Sequence, residues 1–281
     1  MMATETPAQY CATLVNRDDH DRYLTVLHAR AADRPALLAL YAFGIEVAKT
    51  RETVSEPALG EIRLQWWRET VESIFAGECR EHPVAHALAQ VCGCGVVEER
   101  WLNSLIDARE ADLYDEQPDT LADLEEYAEA TAGRLQAIAA LCLGGDDNAM
   151  QAGRRVGTAW GLVGLMRAIP FHLAQDRIFV PLDMMHAEGL VDPSQPDPVQ
   201  SAALGRILKR ICGRAEELID EARGMGPVPA SVTPALRLAP LTEGYLKDLA
   251  RADFVPDSVN YDRGAFGRQL RLAWAGLRRA Y

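Results

Sequence analysis

Leu37-Leu-Ala-Leu-Tyr-Ala-Phe-Gly-Ile-Glu-Val-Ala-Lys-Thr-Arg-Glu52 is the stretch that decides the fold of this chain. Its apolar residues recur at spacings of three and four, which is typical of an amphipathic α-helix. Side chains three or four positions apart lie on the same helix face, so we expect one stripe along this helix. The members of the predicted stripe are Tyr41, Ile45, Ala48 and Glu52.

The end of this stripe decides whether the helix holds a metal ion. Carboxylates at positions 48 and 52 would suit Mg²⁺, which usually joins one or two carboxylates to substrate phosphates. The chain has a carboxylate only at Glu52, with a methyl group at Ala48 and an ammonium at Lys49. Like charges about 4 Å apart repel by about 4 kcal/mol at an effective dielectric constant of 20. These residues predict no metal site and favour a surface or interface face of a buried helix.

The composition indicates a soluble globular protein, with 48% hydrophobic and 25% charged residues in a chain of 281. A net charge of −12 argues against nucleic acid as a partner, because phosphate binding depends on clustered Lys and Arg. The longest uncharged run in the middle of the chain, residues 156–166, is far shorter than the ~18–20 residues that span a bilayer. Residues 1–10 lack the features of a secretory signal or transit peptide. We therefore expect a cytoplasmic protein with at most peripheral membrane contact.

Six cysteines show no paired framework, which favours free thiols in a reducing compartment. Five Cys and His residues lie close together in sequence and form a conceivable zinc site, but their spacing matches none of the usual zinc patterns. The His-Pro pair within this group is equally typical of the start of a helix. The group consists of Cys79, His82, His86, Cys92 and Cys94.

Helical periodicity continues along the chain and is interrupted by Gly- and Pro-rich breaks. The pattern predicts one compact all-α domain over residues 1–281 with about eight to eleven helices, and the Pro/Asp-rich segment 192–198 and the Pro-rich segment 226–240 are candidate flexible joints. Thr120 and Asp123 predict the N-cap of one of these helices. In another helix the predicted apolar face consists of Ile62, Trp66, Val71 and Phe75.

Six blocks of the sequence, in this order, resemble the squalene/phytoene synthase family. The match is strongest over residues 23–183. The resemblance implies an all-α, single-domain helical bundle of the isoprenoid synthase type around a central cavity. The blocks are Leu40-Tyr-Ala-Phe43, Leu64-Gln-Trp-Trp-Arg-Glu69, His82-Pro-Val84, Leu105-Ile-Asp107 with Asp112-Leu113, Tyr127 with Ala132-Gly133, and Arg177-Ile-Phe-Val-Pro-Leu-Asp183.

The comparison with this family also identifies what the chain lacks, namely most aspartates of the two metal motifs. The family's Asp-Asp-x-x-Asp motif aligns with Ala48, Lys49 and Glu52, and Ile45 replaces an arginine. In the second motif only the last acid has a counterpart, and Pro170 predicts that the helix kinks or ends there. The departures imply no catalytic residue, no cofactor and no bound metal. The aligned positions of the second motif are Leu165, Ala168, Phe171, His172 and Asp176.

One subgroup of the family resembles this chain better than the synthases do: the phytoene-synthase-like assembly factors of respiratory complex I and their bacterial counterparts. This resemblance implies a non-catalytic protein with a protein partner in assembly of the NADH:quinone oxidoreductase, and an isoprenoid or lipid as a further ligand. It implies a cytoplasmic location, peripheral to the inner membrane, or the mitochondrial matrix for a processed eukaryotic form. The matching strings are residues 46–56, 62–72 and 167–172.

The alternative hypothesis is an active prenyltransferase that uses Mg²⁺ to condense two prenyl diphosphates head to head. Its candidate metal ligands are Glu52, Asp112 and Asp176. Tyr41 would position substrate, and Asp112 is also a candidate substrate-binding residue. Each of these acids is equally able to form an ordinary surface salt bridge, worth about 0–1 kcal/mol. A hydrolase or lyase acting on another diphosphate is a third hypothesis, but no arrangement of nucleophile, base and oxyanion donors supports it.

Trp66, Trp67 and Arg68 are further candidates for a pocket or an interface. Trp66 has the spacing of a core aromatic residue. Arg68 is a candidate substrate-binding residue, but a structural ion pair with Asp107 or Asp112 is the simpler interpretation.

Overall fold

A computed structural model describes residues 5–194, 197–259, 265–278 and 281 of the chain. Within these ranges the regular structure is helical and contains no strand, which confirms the all-α prediction. The α-helices are α1 (Pro7–Asp18), α2 (His20–Val26), α3 (Arg34–Ala48), α4 (Thr50–Thr53), α5 (Pro57–Phe75), α6 (Pro83–Cys92), α7 (Glu99–Asp107), α8 (Leu121–Ala128), α9 (Arg134–Cys142), α10 (Asp147–Arg167), α11 (Ile169–Leu173), α12 (Leu182–Glu188), α13 (Pro198–Gly224), α14 (Thr233–Leu236), α15 (Leu238–Arg251) and α16 (Ala265–Arg278). A π-helical segment, Glu129–Gly133, joins α8 to α9, and 3₁₀ turns occupy Ala111–Leu113 and Pro256–Ser258.

The central helix of the bundle is α10, which packs against α8, α9, α13, α15 and the π-helical segment. Its backbone approaches the π-helical segment closely at Gly157. A Cβ atom added at Gly157 would lie 2.4 Å from the carbonyl oxygen of Ala132. Real Cβ atoms do not approach a backbone oxygen so closely, so this crossing requires glycine.

The decisive stretch of the sequence forms α3, which packs against α1, α6 and α9. Leu37, Leu40, Tyr41 and Phe43 are each at most 1% exposed. Burying such a side chain contributes about 1.5–3 kcal/mol, so α3 is a main source of stability. The helix is buried on more than the predicted single stripe, because it is covered by other helices on several sides.

The predicted apolar face of α5 was wrong in register. Val71 is buried as expected, but Ile62 is 66% exposed and Phe75 is 38% exposed. Trp66 is only half-buried, whereas Trp67 is 1% exposed. Adjacent tryptophans point about 100° apart around a helix, so only the packing against neighbouring helices decides which one faces the core.

Trp67 faces the core because α3 supplies a partner for its ring. Its ring meets that of Phe43 edge to face, with centroids 5.5 Å apart. The centroid of the Trp66 ring lies 4.9 Å from that of the Trp67 ring. The guanidinium of Arg80 lies over the Trp66 ring, 5.8 Å from its centroid.

The predicted helix boundaries at Thr120 and Pro170 are confirmed. Thr120 and Asp123 form a complete capping box at the start of α8. The central helix α10 ends three residues before Pro170, which lies in the first turn of α11 where a proline removes no helical hydrogen bond. The interpretation of segment 226–240 as a flexible joint was wrong for its second half, because α14 and the start of α15 bury Pro234 and Pro240.

No helix in the described part of the chain combines the length and the apolar character needed to cross a membrane.

Candidate functional site

A cavity of about 260 Å³ opens among α2, α3, α7, α9 and the π-helical segment. All four members of the predicted α3 stripe reach its wall, although α3 itself ends at Ala48 and Glu52 belongs to the following turn, α4. The resemblance predicted a central cavity, and the residues aligned with the first metal motif, Ala48, Lys49 and Glu52, line this opening, which we call the central cavity. Its wall residues are Asp18, Asp19, Arg22, Tyr41, Gly44, Ile45, Val47, Ala48, Lys49, Glu52, Leu105, Arg109, Thr131, Ala132 and Leu135.

Lys49 is already engaged by an acid of the protein. Its Nζ lies 2.7 Å from Oδ2 of Asp18, which also pairs with Arg17 at 2.8 Å. Hydrogen bonding by Arg17, followed by that of Lys49, lowers the pKa of Asp18 to about 2. Asp18 therefore stays ionised at neutral pH and is compensated by side-chain cations.

The wall of this cavity does not fit Mg²⁺. Glu52 is exposed, and its neighbour Lys49 brings an ammonium rather than a carboxylate. Across the described residues, no group of three or more His, Cys, Asp or Glu side chains is placed to hold a metal ion. Mg²⁺ requires several hard oxygen ligands in near-octahedral geometry. The donors present at the aligned first motif are too few.

Tyr41 belongs to a buried hydrogen-bonding network in the deep wall of the cavity. Its hydroxyl accepts a hydrogen bond from Nε2 of Gln136 at 3.1 Å, and the guanidinium of Arg22 lies 5.5 Å from its ring. Arg22 in turn pairs with Asp19 at 2.5 Å. Burial raises the pKa of Tyr41 to about 12, so the hydroxyl stays protonated. Its role in positioning substrate stays a prediction.

The aligned second motif lies away from the wall of the central cavity. Ala168 caps α10, and Phe171 is 51% exposed on α11. The ring of His172 contacts that of Phe179 at a centroid distance of 4.7 Å, with the two ring planes tilted by 57°. Asp176 is exposed in a left-handed turn with φ 56°. None of these four side chains, nor that of Leu165, lines the central cavity.

An ion-pair network joins the two motif segments where the family alignment places metal ligands. Arg51, which lies within the first motif, donates to both carboxylate oxygens of Asp115, at 3.2 and 2.6 Å. Arg177, which follows the second motif, has Nε 2.9 Å from Oδ1 of Asp115 and Nη2 3.6 Å from Asp112. Arg177 is only 7% exposed, so these carboxylates compensate a buried charge.

The carboxylate of Asp112 also accepts hydrogen bonds from two other side chains. It accepts a hydrogen bond from the hydroxyl of Tyr127 at 2.6 Å and from Arg109 at 3.1 Å. Arg109 also donates to the Tyr127 hydroxyl at 2.9 Å. Arg109 lines the central cavity, while Asp112 and Tyr127 line a second opening of about 290 Å³. The network therefore lies between the two openings, and the role of Asp112 as a substrate or metal ligand stays a prediction.

Sequence reasoning missed Arg51, Arg109 and Asp115 as members of this network. Arg177 did start a block that resembles the family, but nothing in the sequence indicated its partners. Asp115 has φ 54°, a left-handed conformation that Asp tolerates better than most residues. A sequence pattern does not reveal such a turn, since the flanking Tyr114 and Glu116 carry no turn signal.

Arg68 forms the structural ion pair that its position suggested. It donates to Asp107 at 2.8 Å and to Glu110 at 2.6 Å, and these contacts confirm the Asp107 alternative rather than Asp112. Neither Arg68 nor Trp66 nor Trp67 lines the two openings.

The Cys and His group consists of three free thiols, the capping histidine His82, and His86 within α6. His82 caps α6 by accepting a hydrogen bond from the backbone N–H of Val84 at 3.2 Å, as its pairing with proline suggested. Its ring packs 5.2 Å from that of Trp67. All six cysteines are free, three of them buried, at positions 11, 79, 92, 94, 142 and 212.

Comparison with known proteins identifies the family of this chain. The family model of squalene/phytoene synthase matches residues 15–273. The chain belongs to the squalene/phytoene synthase family. This finding confirms the resemblance inferred from the six blocks, while the extent of a single domain over residues 1–281 stays a prediction.

Two relatives of this squalene/phytoene synthase family member are complex I assembly factors. The chain is 31% identical to NADH dehydrogenase (ubiquinone) complex I, assembly factor 6, of Bos taurus, over 88% of this chain and 74% of that protein. It is 29% identical to the Drosophila melanogaster homolog of that factor, over 88% and 77%. These relatives confirm the similarity to the assembly-factor subgroup.

The solved structures confirm the fold. A dehydrosqualene synthase in complex with ligand superposes with a TM-score of 0.82 at 18% identity, over 97% of this chain and 95% of that one. The squalene synthase HpnC from Alicyclobacillus acidocaldarius gives 0.75 at 22% identity, over 88% and 94%. At these identities the match establishes an isoprenoid-synthase-type fold alone.

Proposed function

We propose that this chain is a non-catalytic member of its family that acts by binding a protein partner during assembly of respiratory complex I. The observation that carries the proposal is the pairing at the aligned motifs. Lys49 pairs with Asp18, and Arg51 and Arg177 share Asp115, so the charged groups compensate one another within the protein. Relatives named as complex I assembly factors support the partner class.

Electrostatics supports the absence of prenyltransferase chemistry. Catalysis on diphosphates depends on metal ions that stabilise the developing charge. At the aligned first motif the ammonium of Lys49 lies where a cation would be repelled. The cavity of about 260 Å³ also falls below the range of about 300–1,000 Å³ typical of drug-sized ligands.

A single small apolar ligand, such as part of an isoprenoid or lipid, is compatible with this cavity. Ile45, Val47, Leu105 and Leu135 contribute apolar surface to its wall, which also includes the charged side chains of Asp19 and Arg22. We place the protein in the bacterial cytoplasm, peripheral to the inner membrane, or in the mitochondrial matrix for a eukaryotic form.

The first test is enzymatic. The purified chain is incubated with Mg²⁺ and C15 or C20 prenyl diphosphate, and diphosphate release and hydrocarbon products are measured by mass spectrometry. We expect no turnover. A variant with Asp at positions 48, 49, 168 and 172 also stays inactive, because Ile45 and Phe171 depart from the family pattern too. Robust product from the natural chain would contradict the proposal.

The second test concerns assembly. The chain is deleted in its own host, and assembled NADH:quinone oxidoreductase is measured by native gel electrophoresis and by NADH oxidation in membranes. We expect both to fall and to be restored by the natural chain. A variant carrying Ala48→Asp alone, in which the Lys49 to Asp18 pair stays intact, restores them equally. Normal levels of complex in the deletion strain would refute the assembly role.

A further inference from the structure

The outward side of helix α16 is apolar. This helix packs mainly against α15, and its inward side buries Leu272 and Ala275. On the opposite side Leu270 is 54% exposed and Trp274 is 58% exposed. Residues four positions apart share a helix face, so these two side chains belong to one patch. We call the exposed residues of this side the outer face, namely Gly267, Leu270, Ala273 and Trp274.

Polar contacts with the body of the protein fix which side of α16 faces outward. Near its start, Nε of Arg268 lies 3.3 Å from Oδ1 of Asp21, and Nη1 of Arg268 donates to the hydroxyl of Tyr245 at 3.1 Å. Just after its end, Arg223 of α13 donates to the carbonyl oxygen of Tyr281 at 2.9 Å. The helix is therefore held at both ends, and a rotation that buried the outer face would break these contacts.

The segment that carries the outer face is basic, although the chain as a whole is acidic. Residues 263–281 contain five arginines and no Asp or Glu, whereas the net charge of the chain is −12. Asp21 compensates Arg268, and the other arginines leave this segment positive. The two neighbours of Leu270 along the chain lie about 100° to either side of it around the helix. They are Gln269 and Arg271, and the guanidinium of Arg271 lies beside Gly244 of α15.

An apolar helix face in a basic segment fits the surface of an anionic bilayer. Amphipathic helices that carry Leu and Trp on one face bury that face at the level of the lipid headgroups, and basic residues strengthen the binding. A bilayer accommodates a convex helix, whereas a protein partner would have to supply a matching groove. The negative charge of the remaining chain is repelled by anionic lipid, which favours an orientation with α16 toward the membrane.

We propose that the outer face of α16 binds the surface of a bilayer that contains anionic phospholipids, with Leu270 and Trp274 inserted at the level of the headgroups. The helices that the structure describes include none able to cross a membrane, so this contact stays on one side of the bilayer. The proposal deepens the peripheral location proposed above by naming the surface that makes the contact. It does not rest on the complex I partner, because binding to lipid requires no other protein.

The test is sedimentation of the full chain with vesicles of phosphatidylglycerol and phosphatidylcholine in equal parts, with phosphatidylcholine vesicles as the reference. We expect binding to the anionic vesicles alone, and several-fold weaker binding at high salt. The double variant Leu270→Gln with Trp274→Gln should bind at least about tenfold more weakly. The matched control Ile62→Gln with Val199→Gln removes two similarly exposed apolar residues from α5 and α13 and should keep the natural affinity. Urea unfolding checks that both double variants are folded.

A second measurement reports the position of the ring itself. Brominated phosphatidylglycerol in the vesicles should quench part of the tryptophan fluorescence of the natural chain. Trp274→Phe keeps an aromatic side chain on the outer face, so this variant should still bind but lose that quenching. Quenching that persists unchanged in Trp274→Phe would contradict insertion of this ring.

Three results overturn the proposal. They are no sedimentation of the natural chain with anionic vesicles, equal binding by the double variant of the outer face, and a dimer of the natural chain that this variant converts to a monomer in light scattering. The last result would assign the outer face to a second copy of the chain. Vesicle binding in a protein that fails the assembly test would contradict the assembly role alone, and normal assembly without vesicle binding would contradict this proposal alone.

Discussion

Oδ1 of Asp115 lies 2.9 Å from Nε of Arg177, and this contact links the loop after α7 to the segment after the second motif. Because the same carboxylate also accepts two hydrogen bonds from Arg51, one side chain ties both motif segments together. Charged side chains of the protein thus pair with one another in the region in which the family alignment places metal ligands.

We predict that Asp115→Asn destabilises the protein by about 1–3 kcal/mol. Asparagine tolerates the left-handed backbone at this position, so the loss reports the charge alone. Arg177 is left buried with only Asp112, at 3.6 Å, as an acidic partner. Urea unfolding followed by circular dichroism measures the change.

Asp176→Asn is the matched control for this variant. Asp176 has nearly the same backbone angle, with φ 56° against 54°, but it is exposed. We expect a change within about 0.5 kcal/mol, as for surface positions generally. Equal losses for the two variants would show that the network contributes nothing specific.

Tyr127→Phe should cost about 1–2 kcal/mol, because it removes the donor to Asp112 and the acceptor for Arg109. Tyr114→Phe removes the hydrogen bond between an exposed hydroxyl and Glu61, so it should cost less than about 0.5 kcal/mol. Thermal and urea denaturation of both variants measures the difference. A loss for Tyr114→Phe as large as for Tyr127→Phe would contradict this account of the network.

His172 should make stability depend on pH. Burial, followed by the positive charge of Arg177, lowers the pKa of His172 from its ordinary 6.5 to about 4. Between these values the unfolded chain binds a proton that the folded chain excludes, so stability falls as the pH drops from 6.5 to 4. We expect a loss of about 2 kcal/mol over this window, allowing for the partial exposure of the ring.

The measurement is a series of urea unfolding curves between pH 4 and 7 for the natural chain and for His172→Gln. The glutamine variant should show a shallower decline. His20→Gln, at an exposed position on α2, should leave the natural slope in place. An unchanged slope in His172→Gln would refute the assignment.

Two glycines of α10 should respond in opposite directions to alanine. Gly157→Ala places a methyl group 2.4 Å from the Ala132 carbonyl oxygen, so we expect a loss of about 1–3 kcal/mol. Gly164 has nothing within 4 Å of the added methyl, and Gly164→Ala should gain about 0.5–1 kcal/mol from the better helix former. Differential scanning calorimetry compares the two, and changes of the same sign would show that the close crossing at Gly157 is not a constraint.

Helix positions were predictable from the sequence where a local signal fixed them. Thr120 and Asp123 cap α8 through bonds that span three residues, and Pro170 excludes itself from a helix interior for steric reasons. The register of α5 was not predictable, because Trp66 and Trp67 have equal local preferences and the ring of Phe43, on another helix, selects between them.

The sequence by itself determined that the chain is all-α and that most motif aspartates are absent. Helical periodicity is a local property, and a missing carboxylate is read directly from the residue type. Only the tertiary structure decided which charges compensate one another. Arg51 and Asp115 are 64 positions apart, and they meet because the packing of the bundle brings α4 and the loop after α7 together. Ion pairs depend on distances of a few ångströms, and the spacing of residues along the chain does not encode those distances.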